Sequence, residues 1–288
     1  MIAAEVQLGR LEGGRVARNP LVWLALALTA LWVHVAEPVD LYHLLAGYGM
    51  VLPAFVTMVV LGLATRRSRR TGAEELLDTL PAGPVVRTVA LGTAACTTGI
   101  VALTVTVALL AYRWPSAGLG TTDDTLPSGI DLPSPNLAQL LQGPMALVVV
   151  GVLGVALASW MPTWVFAPAL VLPAMAQILW FGIWNGEELG AASWWWPWST
   201  GWVHGEWVGC VDGAPTCSLQ VSGFDGVTPW WHLGYLVALA VLLLMIAVLR
   251  HRRDRTTWNA FGLSVAAVVA LAAAQAVVYE RFVPVGAG

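Results

Sequence analysis

The residue types that could do chemistry gather in one polar stretch, 186–229. It holds His204, Glu206, Cys210, Asp212 and Cys217. These are metal-ligating types, but structural zinc sites use short C-x₂₋₄-C or H-x₃₋₅-H spacings, and none is present. The two cysteines enclose VDGAPT, with the turn formers Asp212, Gly213 and Pro215. On an oxidising side of a membrane this spacing predicts a Cys210–Cys217 disulfide closing a hairpin-like turn. Closing so short a loop stabilises by about 2–3 kcal/mol in the chain-entropy model. A metal site is the second reading. The same stretch is dense in tryptophan: Trp194, Trp195, Trp196, Trp198, Trp202 and Trp207. The expected placement is against the outer membrane face as short re-entrant or interfacial helices, and the functional reading is an external aromatic lid over a transport path.

Other catalytic signatures are missing. There is no H-E-x-x-H and no G-x-S-x-G. Ser159, Ser193, Ser199, Ser218 and Ser222 have no base at an evident depth. All 14 basic residues are arginine, so the lysine of a G-x-x-x-x-G-K-[ST] phosphate loop cannot be supplied. The chain is expected not to be an enzyme, with any ATP and Mg chemistry of that kind on another polypeptide. No resident cofactor or metal is expected.

The elements that would position these residues are hydrophobic. The 288 residues are 58% hydrophobic and 11% charged, against roughly 25% charged in soluble domains. Apolar runs at about 21–36, 43–64, 87–112, 139–160, 164–185, 230–250 and 257–279 approach or reach the length that crosses a bilayer core of about 30 Å. The fold class is all-α, polytopic and membrane-embedded, a single domain over 1–288 with six or seven transmembrane helices. Segment 1–19 interleaves Glu5, Arg10, Glu12, Arg15 and Arg18 with apolar residues and is expected to be an interfacial helix, weakened by Gly9, Gly13 and Gly14. A cleaved signal peptide fits less well, because Trp32, His34 and Glu37 make a poor cleavage site. With the N-terminus in the cytoplasm and seven alternating spans, 12 of the 14 arginines fall inside, leaving Arg113 and Arg281 outside. The loops 113–137 and 186–229 and the C-terminus are then external.

Few polar groups interrupt the spans. Gln177, Gln275, His34, His232 and Cys96 lie in or near them. Intramembrane polar groups are candidates for function. Here bonding between helices suffices for the glutamines, and the histidines sit near span ends, where water is expected. No span has a central Asp, Glu or Arg. That disfavours a proton-coupled carrier and suits a protein powered by a partner.

One segment outside the lipid is patterned differently. After Arg66, Arg67, Arg69 and Arg70 comes TGAEELLDTLPAGP, residues 71–84, within the loop 65–86. Thr71 and Glu74 form a capping box. The expected helix runs over about 72–80, with Leu76, Leu77 and Leu80 on one face and Glu74, Glu75 and Asp78 on the other. The acids suit its N-terminal dipole, and Pro81 and Pro84 stop it.

This segment resembles the coupling-helix region of type-2 ABC exporter permeases. The matching positions are Gly72, Glu74, Glu75, Leu76, Leu77, Thr79, Leu80, Pro81 and Arg87, with Glu5, Arg10 and Arg18 ahead of the first span. The resemblance is specific over 1–90 and architectural beyond. Members usually have six spans, against seven counted here. It implies a multi-pass permease of a bacterial cell membrane, paired with an identical or homologous permease and driven by two cytoplasmic ABC ATPase subunits. Those would grip Thr71, Glu74, Glu75, Leu76, Leu77, Asp78, Leu80, Pro81 and the N-terminal Arg10. No nucleic acid partner is implied. The alternative is a non-transporting immunity, scaffold or sensor subunit that binds a peptide or lipid through its Trp-rich loop.

Overall fold

The computed structural model describes residues 2–35, 48–70, 83–113, 137–162, 165, 204–208, 218–222 and 228–279. The described residues form seven α-helices, one short 3₁₀ turn and a two-stranded hairpin. The helices are α1 (Ile2–Ala17), α2 (Pro20–Val35), α3 (Val51–Arg70), α4 (Pro84–Arg113), α5 (Leu137–Trp160), α6 (Thr228–Leu249) and α7 (Arg255–Tyr279). The 3₁₀ turn, Tyr48–Met50, leads into α3.

Helix boundaries follow local chemistry. Pro20 opens α2, where its missing N–H costs nothing, and Asn19 caps it by accepting from the Leu21 N–H at 3.0 Å. Asp254 caps α7: its Oδ1 accepts from the Thr257 N–H at 2.9 Å and from the Thr257 hydroxyl at 2.6 Å. Pro84 likewise opens α4.

Four helices are long and apolar enough to cross a membrane: α4, α5, α6 and α7. Each matches an expected run to within a few residues. A fifth crossing arises if α1 and α2 count together as one span, bent by 56° at the break between them. Alone, α2 is only 16 residues, about 24 Å at 1.5 Å per residue. The second expected run becomes α3, which does not stop at residue 64. It continues as helix through Arg66, Arg67, Arg69 and Arg70, which lowers its apolar character.

Helix directions are fixed by named contacts. Met58 lies against Gly154 and Arg66 donates to the Met161 carbonyl, so α3 and α5 are parallel. Arg87 donates to the Ala64 carbonyl at 3.1 Å, which sets the start of α4 beside the end of α3. Trp160 donates to the Ile246 carbonyl at 2.7 Å, placing the ends of α5 and α6 together. Helices α3, α5 and α6 thus point toward one end of the bundle, and α4 and α7 away from it. The chain leaves α5 at that end and enters α6 at the other. The expected fifth run, 164–185, lies outside the described residues apart from Val165.

The core is built where helices approach closely. Met50, Met58, Leu61, Leu91, Leu147 and Leu236 are fully buried among alanines and valines of α3, α4, α5 and α6. A Cβ on Gly154 would collide with the Met58 backbone, so glycine there lets α5 lie directly on α3.

The N-terminal helix corrects the sequence expectation. α1 does not stand apart as an interfacial segment. It packs lengthwise on α4, with Gly9 against Thr93 and Gly13 against Thr97, where any Cβ would strike the threonine hydroxyl. Gly9 and Gly13, expected to weaken the helix, are what seat it, a small-xxx-small contact.

The stretch 186–229 also differs from expectation in part. His204–Val208 (β1) and Ser218–Ser222 (β2) pair antiparallel, with Trp207 opposite Leu219. Trp207 therefore lies on a strand, not on an interfacial helix. The hairpin frames residues 209–217, the span of the expected turn.

Candidate functional site

One end of the bundle gathers helix ends and charge, and the two helices that flank residues 71–82 end and begin there. α3 ends at Arg70 and α4 begins at Pro84, so the segment joins two helices held side by side. Their relation is locked by arginine. Arg66 is buried, at 3% exposure, and its Nη2 donates to the Met161 carbonyl just beyond α5. Arg87 Nη2 donates to the Ala64 carbonyl. The Met161 carbonyl lies just past the end of α5, where carbonyls lack intrahelical partners and the helix dipole favours a cation, whereas Ala64 lies six residues before the end of α3, so Arg87 reaches a carbonyl on the flank of that helix.

The lock extends to α6 through Trp160. Its indole N–H is committed to Ile246, while the guanidinium carbons of Arg250 and Arg253 each lie 5.8 Å from its ring centroid. That is cation–π range. Arg253 Nε also approaches the Leu249 carbonyl at 3.4 Å. Arg252 is neutralised by Asp254, at 2.6 Å. The two Thr257 hydrogen bonds, with Arg252 adding, hold the Asp254 carboxyl down at about 2. Hence α3, α4, α5 and α6 share one charged, hydrogen-bonded rim. Arg66, Arg67, Arg87, Arg250, Arg252 and Arg253 supply its charge.

At the other end, His232 Nδ1 lies 2.9 Å from Gln275 Oε1. The amide oxygen can only accept, so Nδ1 carries the hydrogen. Gln275 Nε2 donates to the Leu271 carbonyl at 3.3 Å. His232 is fully buried, against the expectation that water reaches it, whereas His34 is exposed, its ring tilted by 40° against Tyr112 with centroids 6.1 Å apart. The pair joins α6 to α7, as interhelical bonding by Gln275 required.

Of the residues expected to act, Arg10 is described. It sits exposed on α1. Thr71, Glu74, Glu75, Leu76, Leu77, Asp78, Leu80 and Pro81 lie outside the described residues. So do Trp194, Trp195, Trp196, Trp198 and Trp202, and both Cys210 and Cys217. The backbones of His204 and Glu206 are placed on β1. No group of three metal-ligating side chains occurs among the described residues. Sequence reasoning missed the ion pair of Arg15 Nη1 with Glu12 Oε1, at 2.7 Å, which links exposed Arg15 to Glu12 on the buried side of α1. Its signal was the i, i+3 spacing of opposite charges.

No protein-family model, curated protein or solved structure matches this chain.

Proposed function

We propose that this chain is the membrane permease subunit of an ATP-driven ABC exporter. The observation that carries the reading is the rim around the ends of the 71–84 segment. α3 is tied to α5 by Arg66, α4 to α3 by Arg87, and α5 to α6 by Trp160. A displacement applied to that segment reaches four helices through direct hydrogen bonds. Hydrogen bonds to charged groups contribute about 1.5–3 kcal/mol each, enough to move helices as a unit. An energy-coupling device needs such a stiff base; a passive connector does not.

In this reading the rim faces the cytoplasm, in keeping with its arginines. ATP and Mg are bound by a partner ATPase, since no lysine is available for a phosphate loop. The ATPase groove takes Leu76, Leu77 and Leu80, and basic residues at its edge meet Glu74, Glu75 and Asp78. A second permease, identical or homologous, completes the path. The Trp-rich loop 186–229 lies at the outer exit, stiffened by β1–β2 and a Cys210–Cys217 disulfide.

The test is purification of the full chain from its own membranes. The wild type is expected to retain a Mg-ATP-hydrolysing partner, and Leu76→Asp with Leu77→Asp is expected to lose it while the permease stays folded. Retention of the partner by the double variant removes the coupling assignment. The loop-binding alternative requires that the loop matter and residues 71–84 not, so ATPase stimulation that survives deletion of 190–225 counts against it.

A further inference from the structure

The exposed face of α1 is a continuous helical stripe: Gln7, Arg10, Leu11, Arg15 and Arg18, with Gly14 between them. The opposite stripe, Gly9, Glu12, Gly13 and Val16, is buried on or toward α4. Helical periodicity separates the two faces cleanly.

The depth of this stripe is set by the α4 register. Gly9 lies at Thr93 and Gly13 at Thr97, so the two helices run parallel. Thr97 is ten residues beyond Arg87, about 15 Å along the axis. Two other contacts give the same scale. Gly92 meets Leu244, five residues before the end of α6, and Gly99 meets Val148 and the Pro144 carbonyl, well inside α5. Arg15 and Arg18 therefore project from the middle of a bundle whose neighbouring helices are lipid-length. An arginine turned to hydrocarbon at mid-depth is among the costliest placements in a bilayer. The Glu12 carboxylate balances one of these charges and is itself buried at 7% exposure. Arg10 and Arg18 have no ion pair among the described residues.

We infer that the outer stripe of α1 lines a water-filled vestibule that opens at the arginine-rich end and favours anionic groups. Water solvates the guanidinium heads, and their combined field raises the local concentration of anions over cations. The break between α1 and α2 marks its inner limit. Above it α2 turns away by 56° and exposes Trp23, Leu24, Leu28 and Leu31, a face suited to lipid. This inference requires that the chain span a membrane. It does not require an ATPase partner, so it stands or falls separately from the permease reading.

The experiment introduces one cysteine at a time, at matched heights, in a background with Cys96, Cys210 and Cys217 all replaced by alanine, in membrane vesicles of the full chain. Leu11→Cys probes the stripe; Leu11 is 65% exposed and its replacement leaves every arginine in place. Leu263→Cys is the reference; Leu263 is 72% exposed and eight residues into α7 from Arg255, on a face with no charge nearby. Methanethiosulfonate reagents, one anionic and one cationic, are applied from the arginine-rich side. Leu11→Cys is expected to react roughly tenfold or more faster than Leu263→Cys, and faster with the anionic reagent than with the cationic one. Arg10→Gln with Arg18→Gln should abolish that charge preference. Gln7→Cys serves as a second probe if Leu11→Cys fails to fold. Equal, slow reaction at positions 11 and 263 overturns the vestibule. Oxidative cross-linking of Leu11→Cys between two copies also overturns it, by showing a second chain against the stripe.

Discussion

Asp254 shows how one carboxylate sets a helix start. Its pKa is lowered from 3.8 to about 2 by the Thr257 hydrogen bonds and then Arg252. A depressed folded-state pKa contributes stability above the unfolded value and loses it as pH falls through the folded one. Asp254→Ala is therefore expected to melt lower than wild type at neutral pH, with the gap closing between pH 3.8 and about 2. Asp254→Asn keeps a capping oxygen but no titrating carboxyl, so its gap from wild type should narrow over the same window while its gap from Asp254→Ala stays constant. Melting curves across pH decide it. At the opposite end, the His232–Gln275 bond joins α6 and α7 inside the apolar region. His232→Leu should cost about 0.6–1.7 kcal/mol, the range for interhelical hydrogen bonds in membranes. A double-mutant cycle with Gln275→Leu should return a coupling energy of that size; near-zero coupling would mean the two groups stabilise independently.

Among the elements, α1 carries the sharpest packing test. Gly9 and Gly13 meet threonine side chains with no room for a Cβ, while Gly14 has open space. Gly13→Val should destabilise by about 1–3 kcal/mol through overpacking. Gly14→Ala should be neutral or stabilise by up to about 1 kcal/mol, since helix interiors favour alanine. Thermal unfolding of the purified chain separates the two. Equal effects would mean that α1 does not sit on α4 as described. Span positions were legible because long apolar runs announce themselves: α4, α5, α6 and α7 begin and end within a few residues of their runs. The seat of α1 was not legible. Its glycines lower helix propensity locally, and their use appears only when the threonines of α4 are brought opposite. The helical character of Arg66–Arg70 was hidden for a related reason. Charge ends an apolar run in sequence, but it does not end a helix, and arginine is a good helix former.

For the whole molecule, the arginine pattern predicted that Arg66, Arg67, Arg87, Arg250, Arg252 and Arg253 lie at one end of the bundle. The structure gathers the ends of α3, α5 and α6 and the starts of α4 and α7 at one end. What the pattern could not give was the rim itself. Hydrogen bonds from Arg66 to Met161 and from Trp160 to Ile246 connect residues 95 and 86 positions apart, and no local periodicity encodes them. Trp160→Ala should loosen α5 from α6 by removing one hydrogen bond and the stacking surface of Arg250 and Arg253, worth about 1–3 kcal/mol together. In the proposed machine it should weaken coupling more than it weakens partner binding, because Trp160 lies behind the contact and not in it. The central claim is that work done by a partner ATPase enters through residues 71–84 and spreads across the rim. The direct measurement is the ATP hydrolysis rate of the purified permease–ATPase complex in proteoliposomes, compared with the ATPase alone. The account predicts a rate that depends on the permease, falls toward the ATPase-alone value in Leu76→Asp with Leu77→Asp, and is uncoupled from transport in Trp160→Ala. A hydrolysis rate indifferent to all three substitutions would contradict it.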